Sequence, residues 1–370
     1  MGLIEMSSEQ KLIKSEVKKF TNAELEPIAS DIEKDCRLPS EILKKLAQMG
    51  LFGLTIPEKY GGSGLDASSL SIALEEFSKS CASLGLILVV NNCIVANLLT
   101  RYGSPQIKEE YLKRISQGGI GGYGLYSDTE IAGKTNALIA EKDNLHFSGR
   151  IDLVLNGGAA DFCIIPVKSE RGIVLHLVNR DAAGINYVPV ETMGMRSAGI
   201  TSLEFQGVKL GTESCLVGED GGLEAIQRAH DFAHIGYAAI ALGLTEASLE
   251  ASIKYAKERR QFGRAICEFP MIQDILAEIK ICIEKSRLLV HDAAHRFDKE
   301  EGYGMIVRIA CLTSCGGAVS AALKAIQIHG GYGYTKDYPV ERYFRDAKSI
   351  QLLGESPVDL RAKIAKELLV

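Results

Sequence analysis

An α+β fold, with a strand-rich middle held between two helical units, is predicted by three changes of period along the chain. Residues 7–118 carry apolar side chains every three to four positions, the repeat of helices that bury one face. Residues 119–212 break into short apolar or alternating runs parted by Gly, Asn and Asp, which is strand-and-turn texture. From Gly221 the helical period returns and persists. The expected division is a helical domain at 1–118, a compact antiparallel β domain at 119–215 and a helical domain at 216–370.

In chain order, Ser8–Phe20 (SEQKLIKSEVKKF) is the first amphipathic helix, and Ile72–Phe77 and Leu84–Leu99 repeat the period with a heavier apolar load. Between them Ile56-Pro57-Glu58-Lys59-Tyr60-Gly61-Gly62 is a turn. Leu145–Phe147, Phe162–Val167, Ile173–Val178 and Leu203–Phe205 read as strands. Gly243–Gln261 and Met271–Arg287 are long mixed-face helices, and the Ala-rich Ala318–Ile328 suits close packing.

The 370 residues suffice for two or three domains. Against 42 Lys and Arg stand 47 Asp and Glu, a formal charge of -5. That leaves no broad basic field for nucleic acid or an anionic membrane. The nine cysteines are scattered without a C-x-x-C pair, consistent with reduced thiols. The first residues (MGLIEMSSEQKLIKSEVKKF) are charged and helix-patterned rather than signal-like, so a cytoplasmic protein is expected.

Two features invite chemistry. Gln327-Ile328-His329-Gly330-Gly331-Tyr332-Gly333-Tyr334 is a glycine-dense turn ending a helix. Glycine backbone can approach a phosphate closely, but it also stops helices, and the two readings stand level. A dinucleotide fingerprint is excluded because a helix, not a strand, precedes the glycines. Lys257-Glu258-Arg259-Arg260-Gln261-Phe262-Gly263-Arg264 is a basic cluster at a helix end. It either complements the helix dipole or binds a diphosphate. No spacing of His, Cys and carboxylates suggests a metal.

Three stretches then carry a family resemblance. Leu38-Pro39, Gly50-Leu51 and Pro57-Glu58-Lys59-Tyr60-Gly61-Gly62-Ser63-Gly64-Leu65 resemble the N-terminal hallmark of acyl-CoA dehydrogenases. Tyr255–Gly263 (YAKERRQFG) is similar to their Y-x-x-x-R-x-x-F-G motif, and Gln327–Gly333 with Tyr338–Arg342 and Arg345–Lys348 to their C-terminal signature. The resemblance implies an α-helical N-terminal domain, a central β domain and a C-terminal four-helix bundle. It implies FAD as cofactor, a homotetramer, an acyl-CoA substrate and an electron-transferring flavoprotein as electron acceptor. By matching position, Arg259, Phe262, Gln327, Gly330 and Gly331 would serve the FAD of a neighbouring subunit. Tyr126, Ser127 and Thr129 would lie by the flavin ring, Ser356 would stand where a threonine is usual, and Thr135 would lie near the thioester. Leu153 and Leu155 replace a usual Trp and Thr, and Leu155 offers the flavin no hydrogen bond.

The usual catalytic glutamate is missing from both places the family puts it. Seven residues before Arg361 stands Gly354, with Glu355 one place later; on a helical backbone one place turns a side chain by about 100°. The alternative position, matched through Gly243 and Arg259, is Ala233, followed by His234 instead of arginine. A small branch of the family that oxidises cyclohex-1-ene-1-carboxyl-CoA places an aspartate on the helix lining the acyl cavity instead. The corresponding segment here carries Asn91 and Asn92 amid apolar residues (LILVVNNCIVANLL). Buried amides need partners, so the pair marks either a site or packing. The leading expectation is a cyclic acyl-CoA dehydrogenase working by 1,4-elimination, with position 91 presenting the base and Asn91 inactivating it if it replaces an aspartate. The alternatives are an ordinary acyl-thioester dehydrogenase, on CoA or a carrier protein, using Glu355 as a shifted base, and a non-catalytic thioester- or flavin-binding homologue.

Overall fold

The computed structural model describes residues 6–126, 138–140, 146–169, 171–353 and 355–369. Helices fill the chain up to Ser116, strands occupy Gly121–Val217, and helices resume at Gly222. Helix α1 (Ser8–Phe20) starts in a capping box, with Ser7 Oγ accepting from Gln10 N–H and the Gln10 side chain accepting from Ser7 N–H. After α2 (Ala29–Asp35) and α3 (Ser40–Gln48), α4 (Ala67–Ser80) is capped by Asp66 and buried along most of its length.

The expected Leu84–Leu99 helix is interrupted. It runs as α5 (Ala82–Val89), a π-helical stretch at Val90–Ala96, then α6 (Asn97–Tyr102). Asn92 supplies a cause: its amide donates to the Leu88 and Leu51 carbonyls and its Oδ1 accepts from Thr55 N–H, and side-chain bonds to the preceding turn disturb the regular ladder. Helices α7 (Pro105–Ile107) and α8 (Lys113–Ser116) close this unit.

The strands are β1 (Gly121–Gly124), β2 (Leu138–Ala140), β3 (His146–Leu155), β4 (Phe162–Lys168), β5 (Ile173–Asn179), β6 (Ile185–Pro189), β7 (Thr201–Lys209) and β8 (Cys215–Val217). They form one eight-stranded sheet ordered β6-β7-β3-β1-β4-β5-β8, with β2 bridging β3 and β4. The expectation of a purely antiparallel unit is corrected here: β1 and β2 each pair parallel with β4. The chain leaves β2 through β3 before reaching β4, and that crossover permits what a hairpin cannot.

The helical half is built on α9, which spans Gly222–Glu258 and so begins well before the expected Gly243. Its neighbours are α4, α10 (Pro270–Asp298) and α11 (Tyr303–His329). Small residues let the backbones close up: a Cβ on Gly243 would meet the Glu75 carbonyl at 2.3 Å, and Ala238, Ala239 and Ala241 are buried. Helices α12 (Val340–Leu352) and α13 (Pro357–Leu368) complete the chain. Ala82–Tyr102, Gly222–Glu258 and Tyr303–Tyr334 are each long and apolar enough to cross a membrane, but the first two are packed almost wholly inside the protein.

Candidate functional site

The basic cluster and the glycine turn, far apart in sequence, form one hollow. Helix α9 stops at Glu258, and Arg260–Gln261 pairs with Arg264–Ala265 in a small hairpin. The two turn residues both take positive φ, 51° at Phe262 and 83° at Gly263, as a two-residue primed turn requires. A bulky residue pays strain for that geometry, and here it leaves Phe262 92% exposed. Opposite, α11 ends where Gly330 takes φ 58° and ψ -137°. Tyr255, Arg259, Phe262, Gly330, Gly331 and Tyr332 line the shared hollow of about 900 Å3. The Arg259 guanidinium lies 5.8 Å from the Tyr332 ring centre, and Tyr255 stacks on His329 at 4.3 Å. Gln327 is exposed on the last turn of α11, and its carbonyl accepts the Gly330 N–H.

These residues fit an FAD. A Cβ placed on Gly330 or Gly331 meets nothing within 4 Å, so the backbone there is bare. Bare backbone beside a guanidinium and an apolar wall suits a diphosphate carrying an aromatic group. The hollow opens outward and is flanked by exposed Met271, Tyr332 and Phe262, apolar surface of the kind that subunits cover.

A second, smaller cavity of about 210 Å3 lies between α9 and α13. Tyr126, Ile226, Gln227, His230, Glu355 and Lys363 are on its wall. Glu355 stands just before Ser356, whose hydroxyl caps α13 by accepting from Asp359 N–H and donating to the Asp359 carboxylate. Glu355 Oε1 accepts from Lys363 Nζ at 2.5 Å and faces His230 Nδ1 at 3.8 Å, while Oε2 is buried and has no hydrogen-bond partner among the described residues. Burial opposes ionisation, yet His230, then His234 and Lys363, outweigh it and hold the carboxyl at about 2. His230 Nε2 lies 3.1 Å from the Tyr123 hydroxyl on β1. One turn on, His234 is fully buried with both ring nitrogens unpartnered among the described residues, and burial drives it down to about 3.

Of the sequence-predicted residues, Tyr126 and Glu355 meet at this cavity, and Arg259, Phe262, Gly330 and Gly331 meet at the larger hollow. Ser127, Thr129, Thr135 and Gly354 lie outside the described residues. Leu155 is buried in the core beside Tyr123 rather than presented to a ligand, and Ala233 is buried on α9. Asn91 needs a correction. Its amide donates to the Gly119 carbonyl at 3.1 Å and its Oδ1 accepts the Gly121 N–H at 2.8 Å. Each end has a backbone partner that ties the helical unit to the start of β1, as a fully buried amide requires, so the side chain is held in the packing. His230, Lys363 and Tyr123 were not singled out from sequence. The available signal was His230-x-x-x-His234, two imidazoles on one helical face.

A sheet between two helical units, a cofactor-sized cradle at a helix end and a buried carboxylate over a small cavity are the parts a flavin-dependent dehydrogenase needs. Residues 7–119 match the family profile "Acyl-CoA dehydrogenase, N-terminal domain", and residues 220–369 match "Acyl-CoA dehydrogenase, C-terminal domain". The short-chain-specific acyl-CoA dehydrogenase of Clostridium acetobutylicum is 34% identical over 357 residues, 94% of each chain. The NADH-dependent acryloyl-CoA reductase of Anaerotignum propionicum is 32% identical, covering 98% of this chain and 95% of that one. The butyryl-CoA dehydrogenase structure from Megasphaera elsdenii superposes over 100% of both chains, with a TM-score of 0.93 at 29% identity. The chain belongs to the acyl-CoA dehydrogenase family and is an FAD-dependent oxidoreductase of acyl-CoA thioesters.

Proposed function

We propose that this protein oxidises a short, open-chain acyl-CoA thioester at its α,β bond, with Glu355 as the base. The observation that carries it is the buried Oε2 of Glu355, unpartnered among the described residues, at the cavity shared with Tyr126. The carboxylate is ionised through the neutral range and would take the α-proton on Oε2. FAD, when bound, accepts the β-hydrogen as hydride. Arg259, Phe262, Gly330 and Gly331 would hold it from a neighbouring subunit of a homotetramer, and an electron-transferring flavoprotein would collect the electrons.

The names of the relatives favour a short acyl chain. A cyclic enoyl thioester with its base at position 91 has less behind it, since the Asn91 amide is committed to backbone. Anaerobic titration of the purified flavoprotein with butyryl-CoA and with cyclohex-1-ene-1-carboxyl-CoA tests the choice. Flavin absorbance should bleach with butyryl-CoA, and Glu355→Gln should abolish that bleaching. Bleaching by the cyclic thioester alone, or undiminished bleaching in Glu355→Gln, would refute it.

A further inference from the structure

We propose that Lys363 and the His230–Tyr123 pair clamp one oxygen of Glu355, Oε1, and thereby assign the other, Oε2, as the atom that receives the substrate proton. This rests on Glu355 being the base. An ionised carboxylate only accepts hydrogen bonds, and the donors around Glu355 gather on one side. Lys363 Nζ donates to Oε1 at 2.5 Å and also to Gln227 Oε1 at 2.8 Å. Gln227 in turn donates to Asp231 Oδ1 at 3.1 Å. The ammonium is therefore fixed from α9 as well as from its own helix α13.

His230 Nδ1 faces the same oxygen at 3.8 Å, beyond hydrogen-bond length, so its part in the clamp is electrostatic. Because the carboxylate cannot donate, the nitrogen turned toward it, Nδ1, is the one carrying hydrogen. With the hydrogen on Nδ1, Nε2 is free to accept from the Tyr123 hydroxyl at 3.1 Å. Tyr123 is fully buried on β1, with its ring edge-on to the imidazole at 5.9 Å. Burial keeps its phenol protonated. Tyr123 thus supports the tautomer that turns a hydrogen toward Oε1, and the Lys363 hydrogen bond sets the rotation of the carboxylate. Oε2, buried and without a partner among the described residues, is the oxygen left free.

Other charged or titratable groups near Glu355 do not replace the clamp. On α9, Asp231 is engaged by Arg308 at 3.5 Å, and burial drives His234 down to about 3. On α11, Arg308 also holds Glu367 at 2.8 Å, and the Cys311 thiol is pushed up by its Cys315 neighbour and by burial. On α13, Asp359 is tied to Ser356. Among the described residues, Lys363 is the one cation bonded directly to Glu355.

The test compares pH profiles of kcat and KM for Lys363→Met, Lys363→Arg, Tyr123→Phe and Glu355→Gln in the FAD-loaded enzyme. In Lys363→Met the acid limb of kcat should move upward, so that the rate falls about tenfold between about pH 8 and about pH 5.5 where the parent stays flat. Lys363→Arg should restore the flat profile. Tyr123→Phe should lower kcat several-fold with KM unchanged. A readout independent of turnover is the infrared carboxylate band that Glu355→Gln removes; it should titrate at higher pH in Lys363→Met than in the parent. If Glu355→Gln is inactive but the Lys363→Met profile and band coincide with the parent's, the clamp is wrong and the base stands. A Tyr123→Phe enzyme with parental kcat removes the tautomer half. An active Glu355→Gln overturns the base itself.

Discussion

Asn91→Asp is the substitution that separates two accounts of the helical segment around residue 91. In the structure the side chain is fully buried, and its amide donates to Gly119 O while accepting from Gly121 N–H. Aspartate keeps the acceptor and strengthens it, a gain of about 1 kcal/mol for a charge-assisted bond. It loses the donor, leaving a buried carbonyl unpaired at a cost of about 1–3 kcal/mol. It also sets a carboxylate against that carbonyl in an apolar wall, which costs about as much again unless the acid stays protonated. The sum is a destabilisation of about 1–5 kcal/mol. Chemical denaturation of parent and variant side by side, followed by helix content and flavin release, reads it directly. Cyclohex-1-ene-1-carboxyl-CoA turnover is measured on the same samples. A variant as stable as the parent that gained turnover of the cyclic thioester would refute the packing role and restore position 91 as the seat of the base.

Gly330→Ala should weaken FAD retention while leaving the helices intact: φ 58° with ψ -137° is nearly closed to a side chain, a strain of about 1–3 kcal/mol, and FAD content on gel filtration measures it. Gly222→Ala should be far more damaging, since its Cβ would sit 1.7 Å from the Ile173 carbonyl and force β5 away from α9; soluble yield and circular dichroism check this. Asp346 receives the Met195 N–H at 2.6 Å, and burial lifts its carboxyl to about 6. Its folded pKa lies above the unfolded one, so the folded state binds the extra proton and gains stability as pH falls through about 6. Asp346→Asn should therefore stabilise the protein at alkaline pH by about 1–3 kcal/mol and flatten this part of the pH dependence, seen as the unfolding midpoint across pH.

How much of the site was legible depended on whether its parts are local. The Arg259–Gly263 and Gln327–Gly331 motifs were readable because a helix stop, a positive-φ turn and a cation each follow from neighbouring residues. Asn91 misled for the opposite reason. A buried amide in an apolar run looks the same whether it meets a ligand or the backbone of residues about thirty positions on. The clamp on Glu355 was harder still, because it joins β1, α9 and α13, and no local pattern links them.

The sequence by itself determined the layout of helical unit, sheet and helical unit, since hydrophobic period is set residue by residue. It also determined the family, the cofactor and the absence of a glutamate at positions 233 and 354. Only the tertiary structure decided which carboxylate stands over a cavity, which of its oxygens is left unpaired among the described residues, and that the asparagine at 91 is committed to β1. Those outcomes depend on pairing between groups distant in sequence, and hydrogen bonds in a dry interior are fixed by where the packed backbone brings donor and acceptor.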